Sequence, residues 1–110
     1  MRFLGKLNFN RGGKILDILI WLQNWYKKQC DGDWEHLYGI TIDTLDNPGW
    51  AVTIDISGTN KQNTPFKAIN FDNGESDWIQ CNVENNIFMG YGDTTKLVQI
   101  LKELKKWIET

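Results

Sequence analysis

The sequence predicts an α+β domain, an antiparallel sheet of four or five strands flanked by an N-terminal and a C-terminal helix. Three observations predict it. Apolar residues recur every three or four positions near both ends of the chain, from Ile15 to Lys28 and from Thr94 to Ile108, the spacing that gathers them on one side of a helix. Between those ends the period drops to two, the alternation of a half-buried strand. The strand segments follow one another with turn signals and no helical stretch between them, which favours an antiparallel sheet with helices packed on one face. With 110 residues, 41% of them hydrophobic, the chain can close one core and has no room for a second domain.

Residues 1–14 read as a loose arm, because polar residues and the Gly12-Gly13 pair interrupt any stripe, and the domain is expected over residues 15–110. In the first helix, Ile15, Ile18, Leu19, Leu22, Trp25 and Tyr26 share one face. Lys27 and Lys28 suit the negative end of its dipole, and Asp31-Gly32 stops it. Tyr38, Ile40 and Ile42 then alternate with Gly39, Thr41 and Asp43, and Val52, Ile54 and Ile56 with Thr53 and Asp55. Asp46-Asn47-Pro48-Gly49 joins proline's fixed φ to glycine's access to positive φ, so these two strands are expected to pair as an antiparallel hairpin. Residues 57–65 form a polar loop, residues 66–71 a third strand, Asp72-Asn73-Gly74 a turn, and residues 78–83 a fourth strand. Asn85-Asn86 turns the chain into a short apolar segment, residues 87–89. Asp93 is expected to cap a closing helix from Thr94 to Ile108, with Leu97, Ile100, Leu101, Leu104, Trp107 and Ile108 on its buried side.

Twelve basic against fourteen acidic side chains give a formal net charge of -2, without the basic excess that phosphate neutralisation requires, so nucleic acid is not expected as a partner. The longest apolar stretch, Ile15 to Leu22, is broken by Asp17 and falls short of the ~20 residues of a bilayer span. The N-terminal region lacks an apolar run followed by a small-residue cleavage site, so neither a membrane helix nor a signal peptide is expected and the cytoplasm is the expected compartment. Cys30 and Cys81 form no CxxC pair and read as reduced thiols, with a single disulfide as the alternative.

The densest polar constellation is Cys30-Asp31-Gly32-Asp33-Trp34-Glu35-His36, a thiol, three carboxylates and the single histidine within seven positions. A nucleophilic site would pair Cys30 with His36, but the sequence shows neither an orienting third group nor oxyanion donors. A metal site would draw on Asp31, Asp33, Glu35 and His36, yet the spacing lacks the twelve-residue loop and terminal glutamate of an EF-hand. A structural connector would use Asp31 to turn the chain, Trp34 to plug the core edge, and Glu35 and His36 in local hydrogen bonds. A recognition surface would set these acidic groups beside an aromatic for a basic partner.

Six tryptophans, at positions 21, 25, 34, 50, 78 and 107, each hold about 150–250 Å² that burial removes from water. Trp25 and Trp107 lie on helical stripes and belong to the core. Trp34 and Trp50 beside turns, and Trp21 off its helix's main stripe, are the candidates for an exposed anchor, although burial is the expected fate of each taken singly. Gly90-x-Gly92 before a helix lacks the third glycine and the Gly-Lys-Ser/Thr continuation of a phosphate cradle, and no cofactor is implied.

The run Trp25-Tyr26-x-x-Gln29-Cys30-Asp31-Gly32-Asp33-Trp34-Glu35-His36, then Gly39, Thr44-Leu45-Asp46-Asn47-Pro48-Gly49-Trp50, and later Gly90-x-Gly92-Asp93 with Trp107-Ile108, resembles the Imm53 family of bacterial immunity proteins. The resemblance covers roughly Ile20 to Ile108 and leaves out the arm. It implies a small α+β protein, not an enzyme, encoded beside a polymorphic toxin, that neutralises this toxin by noncovalent binding. Many toxin domains attack nucleic acid through a basic groove, which a local acidic patch would complement. The expected contact residues are Asp31, Asp33, Glu35, Asp43 and Asp46 around the first hairpin, with His36, and with Trp34 and Trp50 as the desolvated centre. A small carbohydrate- or ligand-binding module using exposed tryptophans beside carboxylates is the alternative, and a minor hydrolase using Cys30 and His36 is a third reading.

Overall fold

The computed structural model describes residues 10–110, with side-chain environments from residue 17 on. Along the chain come α1 (Asn10–Gln29), α2 (Trp34–Leu37), β1 (Ile40–Leu45), β2 (Gly49–Asp55), β3 (Ile69–Asp72), β4 (Trp78–Glu84), β5 (Ile87–Gly92) and α3 (Leu97–Ile108). The α+β class and the two flanking helices are those the sequence predicts, and the differences lie at boundaries. Residues 10–14, expected in the arm, open α1, with Gly12 and Gly13 in its first turn. The rest of the expected arm, residues 1–9, lies outside the described residues. The third strand pairs only from Ile69 onward, because the Phe66 ring turns away to pack edge-on against Phe88 and Trp107, at 5.7 and 5.4 Å between centroids.

The five strands pair in the order β1-β2-β5-β4-β3, every neighbour antiparallel. The expected β1–β2 hairpin and a β3–β4–β5 meander therefore join along β2 and β5. The β4–β5 turn holds Asn85 and Asn86 at φ of 53° and 62°, the left-handed pair of a type I′ hairpin that asparagine tolerates. The Asn86 side chain also accepts from the Asn63 N–H at 2.7 Å and donates to the Asn63 side chain, tying the long β2–β3 loop to this turn.

Among the described residues the long helices cover one face of the sheet. α3 packs on β5, β2 and β4, and α1 packs beside it. Val52 and Ile54 of β2, Phe88 of β5, and Ile79 and Cys81 of β4 meet Ile18, Leu22 and Trp25 of α1 and Ile100, Leu101, Leu104 and Trp107 of α3. At the centre of this layer stands Gly90, where a Cβ would collide with Cγ2 of Ile100 and come within 3.2 Å of the Phe88 ring. Its bare backbone is what lets α3 lie so close to the middle strand. Both cysteines are free, and burial, with Glu103 nearby, pushes the Cys81 thiol up to about 12. Among the described residues no helix is long and apolar enough to cross a membrane.

Candidate functional site

The segment after α1 is held by its own carboxylates. Asp31 Oδ1 accepts the N–H groups of Asp33 and Trp34, both at 2.9 Å, and the two oxygens of Glu35 accept those of Asp31 and Gly32, also at 2.9 Å. These bonds satisfy three N–H groups of the connector and that of Trp34, the first residue of α2. The Trp34 and Asp33 N–H groups hold the Asp31 carboxyl below its ordinary value. Glu35 is lowered by its own N–H against the cost of burial, with the Asp31 and Gly32 N–H groups and His36 assisting. Trp34, only 5% exposed, donates its indole N–H to the Ser57 carbonyl at 2.9 Å and meets Trp25 edge-on. For Asp31, Trp34 and Glu35 the connector role is therefore the one the structure shows. The Cys30 thiol donates to the Tyr26 carbonyl one turn back and not to His36, and no group of three or more His, Cys, Asp or Glu side chains suited to a metal occurs among the described residues.

The acidic residues that are close in sequence part company in space. Asp31, Asp33, Glu35 and the exposed His36 flank the start of β1, whereas Asp46 sits in the turn beyond its end, about 20 Å away along a six-residue strand. Asp43 lies between them, on the sheet face away from the helices. Trp50 points to the opposite face, half-buried, with its indole N–H on the Thr94 carbonyl at 3.0 Å. None of the six tryptophans falls among the exposed residues: burial, the expected fate of each taken singly, holds for Trp34, and Trp50 is half-buried.

A polar cluster that the sequence did not announce surrounds Asp93, the one buried charged side chain among the described residues, at 2% exposure. Its oxygens accept the Thr95 N–H and hydroxyl at 2.8 and 2.6 Å, the Trp78 N–H at 2.8 Å and the Lys96 ammonium at 2.7 Å. Lys96 also reaches Asp77 at 2.7 Å. Asp93 thus closes the turn before α3, which starts at Leu97 and not at Thr94 as a side-chain cap from Asp93 would require. The only hint in the sequence is Asp-x-x-Lys, a spacing too common to single out.

Among the described residues no layer covers the sheet opposite the helices. One row across it runs Asp43, Ala51, Tyr91, Gln80 and Asn70, and the next runs Thr41, Thr53, Met89 and Asn82. A shallow hollow of ≈ 330 Å³ opens there beside Met89 and Tyr91.

Fold and site together define an α+β domain whose five-stranded sheet is core on one side and broad surface on the other. The chain belongs to the Imm53 family: the family model described as Immunity protein 53 matches residues 19–109, nearly the bounds of the resemblance read from the sequence. Comparison with curated proteins and with solved structures gives no match.

Proposed function

We propose that this immunity-family protein protects the cell that makes it by binding a cognate toxin domain noncovalently, without catalysing a reaction. The observation that carries this reading is the family match over residues 19–109. The architecture supports it, because no buried side-chain nitrogen or oxygen among the described residues lacks a hydrogen-bond partner, and a surface set in advance loses little freedom on association. The toxin is encoded by a neighbouring gene and is met in the cytoplasm. Of the residues the sequence singles out, the exposed Asp43, one of whose oxygens accepts the Thr44 N–H, and Asp46 would serve as contacts, with Asp33 and His36 beyond the near end of β1, while Asp31, Trp34, Glu35 and Trp50 make hydrogen bonds within the scaffold. The carbohydrate-binding alternative draws on exposed tryptophans, and none of the six falls among the exposed residues, Trp21, Trp50 and Trp78 being half-buried.

Co-expression with the toxin from the adjacent gene tests the reading. Cells are expected to survive that toxin and to die from unrelated ones, and the purified pair is expected to co-elute at micromolar concentration. Survival without any complex, or turnover of a substrate by the purified protein, would end this reading.

A further inference from the structure

We propose that the uncovered sheet face is the docking surface for the toxin, and that the toxin presents to it a basic surface with a cationic side chain that enters the hollow beside Tyr91. The proposal rests on the immunity reading above and adds to it the place and the chemistry of contact.

Charge is the first ground. The ionisable side chains that the strand register places on this face include Asp43, Asp55, Asp72 and Glu84, and no lysine. The described lysines lie elsewhere. Lys27 and Lys28 belong to α1 and Lys102, Lys105 and Lys106 to α3. Lys61 sits over the Trp107 ring, Lys67 lines a hollow with Trp107 beside α3, and Lys96 is taken up by Asp77 and Asp93. A face with one sign of charge selects its complement and repels its like. Nucleic acid, an anionic lipid surface and a second copy of the same face are all disfavoured, whereas a basic protein surface is drawn in.

The middle of the face supplies the second ground. Met89 and Tyr91 stand half-buried on β5, the central strand, with the 37%-exposed Ile87 in line. An apolar and aromatic centre inside a charged rim is the anatomy of a specific interface, and Tyr and Met are enriched in such centres. In the hollow, Asn70, Gln80 and Asn82 bring side-chain amides beside the Tyr91 ring. Amide oxygens accept from a guanidinium or ammonium group, and a ring face attracts the same cation.

The test uses the full chain and the purified C-terminal domain of the toxin from the adjacent gene. Two variants alter the face, Asp43→Lys with Glu84→Lys and, separately, Thr41→Lys with Asn82→Lys. A third, Lys102→Glu with Lys106→Glu, alters α3. Each face variant is expected to weaken binding by about tenfold or more, with a melting midpoint close to that of the parent, while the α3 variant binds as the parent does. Hydroxyl-radical labelling is expected to find Met89 and Tyr91 protected in the complex. Folded face variants that bind like the parent, or equal labelling of Met89 and Tyr91 in free and bound protein, would overturn the docking surface and leave the immunity reading standing. A dimer dissolved by the face variants would assign the face to a second copy and overturn it as well. A parent protein that neither rescues nor binds removes the immunity reading, and this proposal with it.

Discussion

At Asp93 a carboxylate with 2% exposure must replace its water with protein donors or give up its charge. Burial alone would raise its pKa above the ordinary 3.8, but the Lys96 ammonium, the Thr95 hydroxyl and the N–H groups of Trp78 and Thr95 outweigh burial and hold it far below. A carboxyl group depressed in the folded state binds a proton more readily when unfolded. Its stabilisation is therefore complete above the unfolded value near pH 4 and drains away as the pH falls below it towards the folded value. Asp77, held down first by its hydrogen bond from Lys96, and Asp31 and Glu35 act in the same sense. The urea midpoint is thus expected to be level between about pH 5 and 7 and to fall steeply below about pH 4. Asp93→Asn should lower the midpoint at neutral pH and flatten the acid limb. Parallel profiles for the two proteins would show that Asp93 does not carry this dependence. Residue types here were legible while their partners were not. For Glu35 the sequence left a local hydrogen-bonding role and a recognition role side by side, and only the fold shows both its oxygens occupied; nothing in an Asp-x-x-Lys string announces that Trp78, fifteen positions upstream, donates its N–H to Asp93.

Among the elements, α3 and the first hairpin could be read directly, because their apolar periods are long and their turn residues are unambiguous. The closing strand could not. Hydropathy along β5 favours Ile87, Met89 and Tyr91 as the inward set, but Phe88, Gly90 and Gly92 are the buried ones. The reason is steric: glycine at 90 makes room for Ile100, so close approach of α3 outweighs the burial of larger side chains. The same choice leaves Met89 and Tyr91 on the opposite face, which is why the candidate surface was hidden in the sequence. Gly90→Ala places a methyl group against Cγ2 of Ile100, and overpacking of this kind costs about 1–3 kcal/mol. In an Ile100→Ala background that methyl group has space, so the two changes together should cost less than their sum. Urea unfolding of the four proteins of this cycle measures the coupling, and additive costs would mean that the helix does not rest on Gly90.

For the molecule as a whole, a net charge of -2 conceals an asymmetry that only the folded chain reveals, with Lys27, Lys28, Lys102, Lys105 and Lys106 on the two long helices and, on the strands of the opposite face, Asp43, Asp55, Asp72 and Glu84 with no lysine. Composition gave no hint of this polarity, because strand register decides the face on which Asp43, Asp55 and Glu84 stand. A polarised molecule approaching a basic partner is turned by the field before contact, and that field reaches only about one Debye length, ~10 Å at 0.1 M salt. Ionic strength should therefore act on the encounter and hardly on the docked pair, whose contacts lie inside that distance. Stopped-flow association with the toxin domain is expected to slow progressively as salt rises, at a nearly constant dissociation rate. Asp43→Lys with Glu84→Lys should remove most of the salt dependence, and Lys102→Glu with Lys106→Glu should preserve it or steepen it slightly. If salt instead accelerated dissociation and left association untouched, the attraction would reside in a few buried ion pairs and not in the separated layers of charge.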